Sequence, residues 1–117
     1  MALYDQIRKG STNTLILSLL SEEPMYGYQI TQELKRRSEG YFEMKEGLLY
    51  PALHRMERDG LLKSEWRTAA GSRRRKYYFI TEKGRKMLAN SVTEWQTFIE
   101  QLLGIIGRRR EPQPVPR

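Results

Sequence analysis

The sequence has no cysteine and a single histidine among its 117 residues. Without Cys there is no disulfide, no thiolate nucleophile, no thiol redox sensor and no Cys-ligated zinc site. One His leaves neither a catalytic His pair nor a polyhistidine metal site. Long apolar runs are also missing. The longest, Leu15 to Leu20, is interrupted by Ser18 and falls far short of a membrane span. The first ten residues carry no apolar run and no cleavage-site pattern, so the expectation is an intracellular, cytoplasmic protein with no membrane contact. Large apolar side chains are scarce: Leu, Ile, Val and Phe supply 26 residues, just above the roughly one-fifth level below which chains tend to stay disordered. Such a length favours one domain with a modest core over a two-domain enzyme with a closed cleft. A core this small invites a partner subunit.

What the chain does have is positive charge, and its location matters more than its total of +7. Residues 1–40 and 81–107 are each neutral, and 41–61 carry −1. The excess lies in residues 62–80, at +5, and in the tail 108–117, at +3. Two short cationic segments on a near-neutral body fit a local polyanion contact better than general solubility.

Along the chain, Leu3, Tyr4 and Ile7 share a short helical face that Gly10 is expected to end. Ser11 or Thr12 then caps a helix with Leu15, Ile16, Leu19 and Leu20 on its apolar side. Pro24 closes that segment, and a second helix begins near Met25-Tyr26-Gly27. Tyr26, Ile30 and Leu34 lie on one side of it, and Lys35-Arg36-Arg37 suit its negative C-terminal end. A third helix runs from Glu46 or Gly47 to Asp59, its start limited by Pro51 and its end set by Gly60. Leu49, Ala52, Leu53 and Met56 form its buried side; Leu48, Pro51, His54, Arg55 and Arg58 form the opposite one. Two strand-like runs follow, Leu62 to Arg67 and Lys76 to Ile80, with Leu62 and Trp66 on one face. Between them Thr68 to Arg75 makes a small, then basic, hairpin tip. Thr81 can cap the last helix. Its apolar positions Leu88, Val92, Trp95, Ile99, Leu102 and Ile106 are spaced 4, 3, 4, 3, 4, a heptad stripe too short for an independent coiled coil but able to pack on a partner helix.

The expected fold class is therefore mainly α with a small β-hairpin: a winged helix-turn-helix domain with a long C-terminal dimerisation helix. Residues 1–80 would form the winged domain, with the wing hairpin at 62–80. Residues 81–107 would form the dimerisation helix, and 108–117 a basic, proline-rich, disordered tail. In such a fold the third helix enters the major groove and the wing tracks the backbone or the minor groove. The residue types agree, with Lys45, Arg55 and His54 around the third helix and Arg67, Arg73, Arg74, Arg75 and Lys76 on the wing.

The run Glu46-Gly47-Leu48-Leu49-Tyr50-Pro51-Ala52-Leu53-His54-Arg55-Met56-Glu57-Arg58-Asp59-Gly60-Leu61 resembles the signature of the PadR family of bacterial transcriptional regulators. Pro24-Met25-Tyr26-Gly27-Tyr28, the wing Gly71-Ser72-Arg73-Arg74-Arg75-Lys76-Tyr77-Tyr78, and Thr81-Glu82-Lys83-Gly84 resemble it as well. Together the resemblance covers roughly residues 11 to 100. It implies a homodimeric, usually repressing regulator that binds an inverted-repeat operator in double-stranded DNA, with the last helix as the dimer contact. The dimer residues implied are Leu3, Ile7, Leu88, Val92, Trp95, Ile99, Leu102 and Ile106.

By the same resemblance, Tyr50 opens the recognition helix with its hydroxyl toward a phosphate; the plainer reading is a partly buried aromatic. Where many members have Ser or Thr, this chain has Leu48, which suits a thymine methyl. Pro51 shares that exposed face. Arg55 can bond guanine bidentately, grip phosphate, or pair with Glu57 or Asp59. His54 faces solvent or phosphate, since it has no partners for a metal. A tryptophan matching Trp95 stacks planar ligands between subunits in multidrug-responding members, so Val92, Trp95, Phe98 and Ile99 are a candidate pocket for an apolar or aromatic effector. The plainer reading of Trp95 is dimer packing. No cofactor, metal or catalytic residue is expected, and an enzyme is the weakest class, with no nucleophile–base pair and no Gly-rich phosphate loop. Two alternatives stay open: an architectural DNA-binding protein of low sequence preference, and a winged-helix protein-interaction module.

Overall fold

The computed structural model describes residues 3–68 and 73–107, with side chains described for 7 and from 10 onward. The basic tail 108–117, the hairpin residues 69–72 and the Leu3 side chain lie outside the described residues. The elements run α1 Leu3–Leu20, β1 Met25–Tyr26, α2 Gly27–Arg37, α3 Glu46–Arg58, β2 Leu62–Thr68, β3 Arg74–Ile80 and α4 Glu82–Ile106. The sheet is antiparallel in the order β1-β3-β2. Here is the winged arrangement expected, with the long last helix in place.

The core forms where three amphipathic helices meet one face of the sheet. Ile16, Leu17 and Leu20 of α1, Ile30 and Leu34 of α2, and Leu49, Leu53 and Met56 of α3 are buried together with Met25, Leu62 and Tyr78. Each such side chain contributes about 1.5–3 kcal/mol by leaving water. The buried side of α3 is the one its spacing predicts.

Three details differ from the sequence reading. First, α1 passes unbroken through Gly10 where two helices were expected. A helical glycine costs only about 1 kcal/mol, and here the bare backbone lies under Trp95 of α4: a Cβ at Gly10 would stand 3.7 Å from Trp95 Cζ2. Ser11 and Thr12 are accordingly buried residues inside α1 rather than at its N-terminus. Second, Met25-Tyr26 is a strand that pairs with Tyr78 and Tyr77, and α2 starts only at Gly27. Third, β3 starts at Arg74 rather than Lys76, so two of the expected tip cations are strand residues. Pro51 stands inside α3 beyond its first turn, as the expected start at Glu46 implies. The carbonyl it leaves without a helical donor is that of Gly47, which is exposed and open to water.

The junction from α3 to the wing and α4 is tightly bonded. Gly60, at φ 80°, ends α3 in a Schellman motif: Leu61 N–H donates to the Met56 carbonyl (2.9 Å) and Gly60 N–H to that of Glu57 (3.0 Å). The Thr81 hydroxyl accepts from Gly84 N–H at 3.0 Å and lies 2.7 and 3.0 Å from the Gly60 and Leu61 carbonyl oxygens. Gly84 is buried directly on the Leu61 carbonyl. Past Leu88, which packs on the core, and Trp95, which lies on α1, α4 runs outward, and the molecule measures 71 × 28 × 26 Å. Its radius of gyration is 18.0 Å, against about 13 Å for a compact domain of this length.

At the other end of the core, Glu33 accepts from Arg36 and Arg37, and Arg37 also bonds Glu22 through two contacts of 2.7 and 2.8 Å. The Arg36 bond first, then that from Arg37, holds the Glu33 carboxyl down to about 2.

Two outcomes follow from these contacts. A Cβ at Gly84 would overlap the Leu61 carbonyl oxygen and stand 2.8 Å from Ile80 Cγ1. Backbone cannot swing aside, so Gly84→Ala is expected to cost about 1–3 kcal/mol, read as a lower urea midpoint at unchanged m-value. Because Glu33 is depressed in the folded state, its contribution is present above its ordinary value of 4.5 and is lost as pH falls toward about 2. Thermal unfolding temperature should therefore decline through that window in the wild type, and Glu33→Gln should flatten the decline.

Candidate nucleic-acid interface

Three elements converge on one open groove of about 590 Å³: the start of α2 (Tyr26, Gly27, Tyr28), the exposed side of α3 (Tyr50, His54), and the wing (Trp66 and Arg73 to Lys76). Its construction begins with the α3 periodicity. Burying Leu49, Ala52, Leu53 and Met56 turns Pro51, His54 and Arg55 outward, and all three are exposed. Lys45, also exposed, is the N-cap of α3, its carbonyl accepting from Leu48 and Leu49 N–H at 2.9 Å each. Leu48 is not fully outward: it is half-buried against the core margin, which leaves only its edge for a base methyl.

Tyr50 is half-buried as well. Its hydroxyl abuts Gly27, where a Cβ would overlap it and stand 2.7 Å from the ring Cζ. The small residue at the start of α2 thus admits the tyrosine, whose ring centre lies 6.5 Å from that of His54. Arg55 makes no ion pair among the described residues; Arg58 is the residue that meets Asp59, at 3.9 Å.

The wing holds its cations in two ways. Lys76 Nζ is 3.9 Å from Glu57 of α3, and Ser64 Oγ donates to the other Glu57 oxygen at 2.6 Å. That carboxylate ties both strands of the wing to α3. Burial pushes the Tyr78 phenol up, with the Glu57 charge and Tyr50 adding to the shift. Arg67 bonds Glu65 at 2.7 Å. The other three strand cations lie on rings: Arg74 is 5.3 Å from the Trp66 ring centre, Arg75 is 4.3 Å from that of Tyr26, and Lys63 is 5.8 Å from that of Phe79. Arg73 is exposed just before β3. Strand alternation puts Arg74, Lys76 and Trp66 on one face and Arg67, Arg75 and Tyr77 on the other. The strand cations therefore point to both faces of the wing, and the groove takes Arg74 and Lys76 from one face and Arg75 from the edge of the other.

Trp66 shares a face with Leu62 as expected, yet it is 57% exposed, because the hairpin runs past the core. It is a groove residue that sequence reasoning left out, as are Tyr26, Gly27 and Tyr28. The one available signal was the aromatic pair flanking glycine in Tyr26-Gly27-Tyr28.

On α4 the structure brings Trp95 and Phe98 edge to face at 5.8 Å, and with Glu94 they line a shallow depression of about 250 Å³. A second hollow, of about 260 Å³, lies between α1 and α4, with Trp95 on one wall and Gly10 and Asn13 on the other. Val92 and Ile99 line neither hollow. They belong to an exposed apolar surface with Leu102 and Ile106, wider than the expected stripe because it also takes in Phe98, Leu103 and Ile105. Leu88 packs on the core instead, whereas Ile7 stands at the surface of α1. Among the described residues, no three His, Asp or Glu side chains gather as a metal site, and no helix is long and apolar enough to cross a membrane.

Comparison with known proteins agrees with this architecture. A family model for the transcriptional regulator PadR-like family matches residues 16–90. A solved transcriptional regulator from Clostridium thermocellum is 31% identical at a TM-score of 0.79, over 87% of this chain and 99% of that one. A PadR family transcriptional regulator from Eggerthella lenta is 32% identical at a TM-score of 0.76, over 89% and 88%. In sequence, a transcriptional regulator of Mycobacterium tuberculosis is 33% identical over 99 residues, covering 85% of this chain and 89% of that protein. The matched segment runs from the core of α1 through the groove and the wing into α4, and the chain belongs to the PadR-like family of transcriptional regulators.

Proposed function

We propose that the protein is a homodimeric repressor that reads an inverted-repeat operator in the cytoplasm of a bacterium. The observation that carries this reading is the groove itself: the outward side of α3 and the wing cations face one open channel around Tyr50 and His54. Residues 1–80 act as the reading domain. His54, Arg55 and the edge of Leu48 meet bases or phosphates in the major groove, while Tyr50, Lys45 and the wing arginines hold the backbone. Residues 81–107 act as the dimerisation helix. Its outer turns carry Ile99, Leu102 and Ile106 in solvent, an arrangement that a second copy relieves by burying them. Two α3 helices on a two-fold axis then reach successive major grooves.

Selection of genomic fragments at near-physiological salt tests this. One enriched inverted repeat with half-sites about one helical turn apart is the expected result. Binding without enrichment would replace the repressor by an architectural protein, and no binding would point to a protein partner.

Control is proposed to enter through α4. Trp95 and Phe98 offer a flat apolar contact to an aromatic effector, which acts by favouring one separation of the two reading heads. With Trp66→Phe leaving Trp95 as the single tryptophan, titration with planar hydrophobic compounds should quench emission in a saturable way. A flat response across a diverse set would reduce Trp95 to packing.

A further inference from the structure

We infer that Tyr26 is a positioning residue for DNA binding: its ring holds the Arg75 guanidinium at the edge of the groove, set to meet a backbone phosphate. The inference rests on the DNA-binding reading above.

Arg75 is the awkward cation of the wing. Alternation places it on the sheet face opposite Arg74 and Lys76, and its direct cross-strand neighbour is Arg67. Like charges in that position repel. The structure separates them. Arg67 turns to Glu65, at 2.7 Å, and lies over Phe79 at 4.7 Å. Arg75 lies the other way, over Tyr26 at 4.3 Å, the shortest of the described cation–ring distances on the wing.

Tyr26 reaches that place through β1. The register Tyr26↔Tyr77 sets its ring on the same face as Arg75, one pleat along. The ring is braced edge-on by Tyr77 at 5.4 Å, and its backbone N–H donates to Gln29 Oε1 at 3.1 Å. The first residue of this two-residue strand, Met25, is buried in the core; the second, Tyr26, stands at the sheet edge. There it provides an aromatic platform, and Tyr26 and Arg75 both line the groove.

A ring face offers a guanidinium no hydrogen-bond acceptor oxygen, so its N–H donors stay available for a phosphate. Holding the long side chain there in advance also removes part of the rotamer entropy that binding would otherwise cost. Tyr26 then raises affinity without itself touching a phosphate.

That distinction supplies the test. Full-length wild type, Tyr26→Phe, Tyr26→Leu, Arg75→Ala and the Tyr26→Leu/Arg75→Ala double variant are titrated against a mixed-sequence DNA duplex at several salt concentrations. Thermal melts check folding, and Tyr26→Val, a better strand former, replaces the Leu variant if that one melts early. Arg75→Ala should weaken binding and lower the salt slope by about one for each phosphate that Arg75 neutralises in the wild-type complex. Tyr26→Leu should weaken binding about two- to fivefold per wing with the slope unchanged. Tyr26→Phe, which keeps the ring, should match the wild type, and the double variant should be no weaker than Arg75→Ala. Wild-type affinity in Tyr26→Leu, or additive weakening in the double variant, would overturn the inference. So would a harmless Arg75→Ala, which leaves DNA binding itself standing. A wild type that does not bind the duplex at any salt would overturn the DNA-binding reading and this inference with it.

Discussion

The contact on which the molecule's geometry depends is the approach of Gly84 to the Leu61 carbonyl. It works because α3 ends in a Schellman turn at Gly60, which delivers Leu61 to the core, and because Gly84 has no side chain to keep α4 away. Thr81 closes the junction from the other side, capping α4 while its hydroxyl sits against the Gly60 and Leu61 carbonyls. Lys83 adds a bond to the Asp59 carbonyl at 2.9 Å. The end of α3, the base of the wing and the root of α4 thus meet in one junction.

Around that junction, function is arranged by what each side chain leans on. Glu57 fastens Lys76 and Ser64, so the inner strand faces of the wing stay in register with α3. Aromatic rings support the arginines that acids do not. Tyr50 stands where it does because Gly27 leaves room. As a PadR-like transcriptional regulator, the chain is not an enzyme, and this division of labour suits recognition. It places charge accurately and activates no bond.

Much of this was legible in the sequence where a strong period or a cap was present. The apolar spacing Leu49, Ala52, Leu53, Met56 followed by Gly60 defines α3 within a residue of its observed end. Thr81, with Glu82 in the first turn, marks the start of α4. The misses share a cause: the deciding partner is far along the chain. Gly10 reads as a stop until Trp95 is seen lying on it. Met25-Tyr26 is too short for any period, and it becomes a strand only because Tyr77 and Tyr78 offer it an edge. The basic run from Arg73 to Lys76 reads as one patch, yet extending β3 to Arg74 deals alternate residues to opposite faces. For the interface, the residue types were visible but the supporting rings of Tyr26 and Trp66 were not, since nothing local pairs them with Arg75 and Arg74.

The outward reach of α4 also shapes how the protein moves through water. With a long axis of 71 Å and short axes of 28 and 26 Å, one chain drags more solvent than a sphere of equal mass. It will leave a gel-filtration column ahead of globular standards of its own weight. Elution volume would therefore exaggerate the assembly state, and only a shape-independent mass, from sedimentation equilibrium or light scattering, will count its subunits correctly.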